Sequence, residues 1–276
     1  MLKTTPKIRV AVPFPNNGKV MDKCAASVEA LRIADFCDCK ESIHYVQGAS
    51  ISQSRSDAVA CTGSRELYQS DFEFDYYLAI DSDIEFLPEH VKALIDRDVD
   101  IVCGAYQYRR DPGFTVAGCF CDNTPGLINL KTGFLPWNET GLKEVDWTGA
   151  GFLLIKKHVF EALKYPWFRE EIIEFEKDGK NYASWTGEDV GFCMAAKAAG
   201  FKVYCDMDVK VNHMVAPPFT NAEDIHSPES ALQSGLDSLS KAANALDMFY
   251  RVAKEYEGYV ANIQKPNGKI EINKGV

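Results

Sequence analysis

The sequence predicts an α/β protein built on a mostly parallel sheet covered by helices, and three observations carry that expectation. Short apolar runs alternate with helical patterns as β-α-β-α-β from Ile8 to Asp81, an order whose strands pair in parallel through helical crossovers. The third of those strands, Tyr77 to Ile80, is apolar, partly β-branched and aromatic, and stops abruptly at Asp81-Ser82-Asp83, as a buried strand does at a sheet edge. At 276 residues, 46% of them hydrophobic and 25% charged, the chain has the composition of a globular protein with a substantial core.

Ile8 to Phe14 alternates as a first strand and is broken by Pro13, Pro15, Asn16, Asn17 and Gly18. Val20 to Phe36 reads as a helix with Val28, Leu31 and Ala34 or Asp35 inward. Ile43 to Val46 is a second strand, and Ser54 to Tyr68 reads as a helix burying Ala58, Val59 and Leu67. After the central strand, Pro88-Glu89 opens a short helix to Arg97, with proline at the first position and an acid in the first turn. Asp100 to Tyr106 is another strand, followed by a polar, arginine-bearing segment from Gln107 to Gly113. Beyond it, short extended pieces and Gly, Pro and Asn turns run to Glu144. Trp147-Thr148-Gly149-Ala150-Gly151 then approaches the buried strand Phe152 to Ile155, its glycines serving a ligand or a tight turn or bulge.

His158 to Leu163 starts a helix that Pro166 ends. Thr186-Gly187-Glu188-Asp189 precedes a helix from Val190 to Ala199 closed by Gly200, so Thr186 or the acidic pair can cap it. Phe201 to Tyr204 and Val209 to Val211 are strand-like and lead to Asn212-His213. Pro217-Pro218 begins a linker, and Ser227-Pro228 opens a helix predicted to reach Tyr256. Its residues Leu232, Leu236, Leu239, Ala243, Leu246, Tyr250 and Ala253 form a heptad-like seam that wants a partner surface, either its own domain or another subunit. The expected organisation is one domain over 1–216 and a linker, long helix and flexible tail over 217–276.

Net charge is −10, so no general basic field attracts nucleic acid or an anionic membrane, and a phosphate-bearing ligand requires a metal or a few arginines. No apolar run approaches the roughly 20 residues of a membrane helix. Met1 to Arg9 leads into a strand without an apolar core or cleavage site, so no signal peptide is expected. Nine cysteines are scattered through the elements. Cys37-x-Cys39 and Cys119-x-Cys121 lack a matching pair at zinc spacing, so buried thiols in a reducing cytoplasm are expected. Neither Gly-x-Gly-x-x-Gly after the first strand nor a P-loop is present, which removes the main sequence support for a dinucleotide-binding dehydrogenase or a P-loop enzyme.

Two aspartates at i and i+2 on the carboxyl edge of a buried strand can present oxygens to one divalent cation and the phosphates it bridges. The plainer alternative is a polar turn whose aspartates cap the helix near Pro88. For His213, a hydrogen-bonded residue after a strand is the alternative to a metal ligand.

Taken in order, Asp81-Ser82-Asp83, Thr148-Gly149-Ala150-Gly151, Gly187-Glu188-Asp189 and His213 give residues 7 to 215 a pattern that resembles the nucleotide-sugar-dependent glycosyltransferases of the GT-A fold. The nearest group is the family-2-like enzymes of bacteria and their viruses. The chain departs from that pattern after the second strand, where Gln47-Gly48-Ala49 stands in place of an acidic residue, and beyond Pro217. The resemblance implies a GT-A fold with a C-terminal helical extension. It implies a metal-dependent, inverting transfer of a sugar, of hexosyltransferase type, from a nucleoside diphosphate sugar, a UDP-sugar first, to an acceptor hydroxyl. It also implies the roles: Asp83, Asp81 and His213 as metal ligands, with Asp81 alternatively on the ribose; Arg55 on donor phosphate or base; Pro13 and Phe14 beside the nucleoside; Gly149 and Gly151 at the donor; and Asp189, with Glu188, in catalysis. Mixed oxygen and imidazole ligation suits Mn2+ better than calcium, with Mg2+ as the alternative. The competing classes are a metal-dependent nucleotidyltransferase and a non-catalytic nucleotide-sugar-binding scaffold of the same fold. A homo-oligomer through the C-terminal helix is the expected assembly if the seam pairs between subunits.

Overall fold

The computed structural model describes residues 5–15, 20–48, 50–60, 66–121, 127–128, 133–177 and 179–214. The chain divides into two units, Met1–Val215 and Ala216–Val276. The second unit, with the predicted linker and long helix, lies outside the described residues. In chain order the elements are β1 (Ile8–Pro15), α1 (Asp22–Arg32), β2 (Ile43–Gly48), α2 (Ile51–Val59), β3 (Tyr76–Ile80), β4 (Ile84–Glu85), α3 (Pro88–Asp96) and β5 (Ile101–Ala105). They continue as β6 (Gln107–Tyr108), β7 (Asp111–Gly118), β8 (Phe134–Pro136), β9 (Leu142–Val145), β10 (Trp147–Thr148), β11 (Phe152–Lys156) and α4 (Lys157–Ala162). The last are β12 (Ile172–Lys177), β13 (Lys180–Trp185), α5 (Glu188–Ala198), β14 (Val203–Lys210) and β15 (Asn212–His213).

A seven-stranded sheet runs β2-β1-β3-β11-β5-β14-β9. The pairs β1 with β2, β1 with β3 and β5 with β14 are parallel, as the alternating pattern predicts. Strand β11 lies between β3 and β5 and is antiparallel to both. Connectivity explains this: β5 leaves the sheet at its carboxyl end, the chain adds β9 antiparallel to β14 at the far edge, and it then enters β11 beside the end of β3, with Phe152 opposite Ile80. A strand that enters at the carboxyl end of its neighbours must run against them. Its first residues therefore lie beside Asp81.

Alternate side chains of β3 feed two cores. Tyr77 and Ala79 pack on one face with Phe160, Trp167, Phe168 and Phe192, while Leu78 and Ile80 pack on the other with Val28, Leu31, Val91 and Leu94. The first face holds an edge-to-face aromatic cluster, including Tyr77 against Phe160 at 5.3 Å and Phe160 against Trp167 at 5.6 Å. This double-sided burial is why β3 reads as a continuous apolar run.

Several elements depart from expectation. Helix α2 begins at Ile51 after an extended Ser50 and ends at Val59, so Leu67 is 55% exposed rather than inward. The two strand-like runs after Phe201 are one strand, β14, whose pairing with β5 shifts register between Asp206 and Lys210. Fully buried Asp206 takes two hydrogen bonds from Arg97, at 2.6 and 3.1 Å. The hairpin β12–β13 was not expected, although Asp178-Gly179 is a hairpin signal and Gly179 has φ +70°. Cys24, Cys37, Cys39, Cys103, Cys193 and Cys205 are free and buried, Cys119 is free and exposed, and Cys121 is half-buried. Among the described residues no helix is long and apolar enough to cross a membrane.

Candidate active site

The Asp81-Ser82-Asp83 turn is pinned from four sides. The Asp81 N–H donates to Gly151 O (2.9 Å), Ile84 N–H to Asp81 O (3.0 Å), Met21 N–H to Ser82 O (2.8 Å) and Met214 N–H to Asp83 O (2.9 Å). The turn thus joins the entry to β11, the residue before α1 and the end of β15. Neither aspartate caps α3, whose N-cap is Leu87, with His90 Nδ1 accepting the Leu87 N–H at 3.2 Å. With that alternative removed, the two carboxylates have separate surroundings.

Asp81 belongs to an arginine-centred group. Arg55, its side chain only 3% exposed, donates from Nη2 to Asp81 Oδ1 at 2.5 Å and from Nη1 to Glu188 Oε1, while its Nε is buried without a hydrogen-bond partner. The helix carrying it is held by Tyr77, whose hydroxyl donates to Arg55 O at 3.2 Å. Burial works against the guanidinium charge, but Asp81, Glu188 and Asp189 outweigh it and raise the pKa further. Sequence reasoning puts Arg55 on donor phosphate or base; the structure has it deep beneath the carboxylates, binding two of them.

Tyr106, in the turn after β5, lies under the glycine loop and accepts the Gly151 N–H on its hydroxyl at 3.0 Å. Burial, then the charges of Asp81 and Asp189, push its pKa well up, so it remains a neutral phenol. A Cβ at Gly151 would lie 2.8 Å from the Tyr106 hydroxyl and 3.1 Å from Asp81 Oδ2, and one at Gly149 would meet the same hydroxyl. Neither glycine has positive φ among the described residues. Space for Tyr106 therefore accounts for both glycines.

Asp83 faces the other way. Its Oδ2 pairs with Arg109 Nη2, while Oδ1 is buried with no hydrogen-bond partner among the described residues and lies 3.7 Å from His213 Nε2. His213 sits on β15, opposite Ile84. Its Nδ1 is 2.8 Å from Gln107 O; a carbonyl only accepts, so in the neutral ring the proton is on Nδ1 and Nε2 carries a lone pair. Burial first, and the nearby Arg109 charge, lower the His213 pKa and favour that neutral ring. Two lone-pair atoms thus face each other with no proton between them.

Glu188 and Asp189 occupy the first turn of α5 after an extended Gly187, which is an N-cap without a side-chain bond. Thr186 does not cap; its hydroxyl accepts the Glu171 N–H at 3.0 Å and ties the helix start to the residue before β12. Asp189 Oδ1 accepts the Val190 N–H at 2.8 Å. A Cβ on Gly187 would lie 2.6 Å from that oxygen, so glycine leaves room for the carboxylate. A helix start ordinarily lowers a carboxylate's pKa, yet burial and then the Glu188 charge push Asp189 up to about 6 against Arg55 and the Val190 N–H.

Pro13 and Phe14 lie at the same sheet edge, at the end of the neighbouring β1, opposite Val46 and Gln47. Sequence reasoning missed Tyr106 and Arg109; the polar segment after Gln107 was the only signal for the latter. Among the described residues, no three or more His, Cys, Asp or Glu side chains are grouped to hold one metal ion. The Asp83 and His213 pair still fits two of a cation's ligands, because metal–ligand bonds of about 2.0–2.2 Å span a 3.7 Å gap. Asp81, Asp83, Glu188 and Asp189 carry four negative charges against two positive on Arg55 and Arg109, a surplus of two.

No family model matches the chain, and no curated protein matches it. Solved structures with a similar arrangement include a protein from STIV (19% identity, 75% of this chain and 86% of that one, TM-score 0.44). A second is GalNAc-T7 with UDP, GalNAc and Mn2+ (11% identity, 77% of this chain but 44% of that one, TM-score 0.43). A third is the inositol-1-phosphate CTP transferase from T. maritima (13% identity, 78% and 93%, TM-score 0.32). At these values they are distant likenesses of architecture, from which no site or activity transfers.

Proposed function

We propose that the chain is a metal-dependent glycosyltransferase that moves a sugar from a nucleoside diphosphate sugar, a UDP-sugar first, to an acceptor hydroxyl with inversion. The observation that carries this reading is the buried, unpartnered Asp83 Oδ1 facing the His213 Nε2 lone pair at 3.7 Å, at a strand edge with a surplus of negative charge. Asp83 and His213 would hold the cation, with Mn2+ suited by the mixed oxygen and nitrogen donors and Mg2+ as the alternative. When bound, the cation supplies Lewis-acid stabilisation of the charge that grows on the leaving diphosphate. Gln107 O keeps the imidazole in its ligand tautomer, the usual work of a residue behind a metal ligand.

Arg55 holds Asp81 and Glu188 in place, leaving Asp81 Oδ2 toward Gly151 for a ribose hydroxyl or the cation. Pro13 and Phe14 would flank the nucleoside. Asp189 would take the proton from the acceptor hydroxyl: a carboxylate with its pKa raised to about 6 is ionised at neutral pH yet basic enough to accept a proton. That poised base favours glycosyl over nucleotidyl transfer.

Calorimetric titration with UDP tests the reading. Heat is expected with Mn2+ or Mg2+ present and should vanish in chelator, in Asp83→Ala and in His213→Ala. Undiminished metal-free binding would remove the proposed metal site, and release of pyrophosphate from a nucleoside triphosphate would establish nucleotidyl transfer instead.

A further inference from the structure

Arg109 has no role in that scheme, yet it pairs with the carboxylate on which the scheme depends. It lies with Arg110 in the turn between β6 and β7, where Tyr108 pairs with Asp111. Gln107, whose carbonyl orients His213, is on the same hairpin. One short hairpin therefore governs both proposed ligands, holding His213 through its backbone and Asp83 through a side chain.

Exposure separates the partners: the Arg109 side chain is 49% exposed, that of Asp83 20% and that of His213 11%. The arginine can turn into solvent, while the other two remain in the wall. Its single charge occupies Oδ2 and leaves Oδ1 without a partner, so Asp83 is only half satisfied. A half-exposed pair of this kind is weak, whereas a divalent ion held between Oδ1 and Nε2 would satisfy the unpartnered Oδ1 and repel the guanidinium beside it.

Resting on the metal reading above, we infer that Arg109 is a resident counter-ion that a divalent cation displaces from Asp83, and that the freed guanidinium then binds the donor diphosphate. The site thereby remains partly neutralised when empty and gains a phosphate-binding fork when loaded, a geometry that suits arginine better than lysine. Cation and nucleotide binding are coupled through this one side chain.

The test is calorimetric titration with Mn2+ alone, and then with UDP at saturating Mn2+, on the full chain and on Arg109→Met, Arg109→Lys and Asp83→Asn. Arg109→Met should bind Mn2+ about tenfold more tightly than wild type and, once loaded, bind UDP about tenfold more weakly, each the loss of roughly one charge-assisted contact. Arg109→Lys, which keeps the charge, should bind Mn2+ close to wild type while losing part of the UDP affinity. Unchanged or weaker Mn2+ binding in Arg109→Met, with Asp83→Asn abolishing it, overturns the displacement and leaves the metal site standing; unchanged UDP affinity overturns the phosphate role. If neither wild type nor Arg109→Met binds Mn2+, the metal reading itself fails.

Discussion

Replacing Arg55 by methionine, which keeps much of the stem's volume, should be among the most damaging single changes in the molecule. The substitution leaves two carboxylates without their shared partner. Removing one member of a buried ion pair typically costs about 3–5 kcal/mol. Asp81 is 29% exposed and can recruit water, whereas Glu188 at 12% exposure cannot do so fully, so the lower end, about 3 kcal/mol, is expected. For a domain of this size that corresponds to a fall of about 6–12 °C in melting temperature. Thermal unfolding followed by circular dichroism reads it directly. Arg55→Met with Glu188→Gln should recover about half the loss, because the most deeply stranded charge is gone. A melting temperature within about 3 °C of wild type, or a double variant no more stable than the single, would refute the claim that Arg55 holds these carboxylates together.

Asp189→Asn should lower turnover by roughly 10²- to 10⁴-fold with donor affinity nearly intact; wild-type turnover in the folded variant, or product retaining the donor's anomeric configuration, rules out the base. The same residue makes a pH prediction. Its pKa is raised from 3.8 to about 6, so the folded state binds the extra proton and stability falls as pH rises between those values. Urea melts should show Asp189→Asn equal to wild type below about pH 4 and more stable above about pH 6, by at most about 3 kcal/mol; a gap independent of pH contradicts the shift. Turnover should rise with pH through about 6. Gly149→Ala drives a Cβ into the Tyr106 hydroxyl and near Val116 and should cost about 1–3 kcal/mol. Adding Tyr106→Phe should restore part of that in chemical denaturation; no restoration means the glycine serves something other than Tyr106.

The strands β1, β2, β3 and β5 and the acidic turn at the end of β3 were legible because they rest on local signals: apolar runs, turn clusters and an abrupt change to acidic residues. The antiparallel course of β11 was not, since strand direction depends on where the long excursion after Tyr106 returns to the sheet. Arg55 illustrates a subtler limit. With a helix starting at Ser54, it belongs to a first turn with free N–H groups near a ligand; with the observed start at Ile51 it is mid-helix and buried. A shift of three residues at a helix start is within the usual uncertainty of such boundaries, and it decides whether Arg55 is read in a first turn or as the buried partner of Asp81 and Glu188. Arg109 was illegible for a different reason: an arginine in a turn names no partner until the hairpin brings it to Asp83.

In the proposed mechanism the adjacent acids of α5 would take two different tasks, and their surroundings differ accordingly. Glu188 pairs with the buried Arg55 guanidinium and is committed to holding the base of the site. Asp189, one residue on, accepts the Val190 N–H and bears the field of its neighbour's charge as well as its own burial. Arg55 therefore acts on the pair unequally, by direct contact with one carboxylate and through space on the other. Environments that separate the properties of two neighbouring carboxylates are a usual way to divide structural from proton-transfer work. On this argument, exchanging the two residues, Glu188→Asp with Asp189→Glu, should not be neutral although composition and charge are unchanged. The shorter acid would lose reach to Arg55, the longer one would crowd the space that Gly187 leaves open, and both stability and turnover should fall. A swapped variant with wild-type melting temperature and turnover would show that the two positions are interchangeable and that no such division exists.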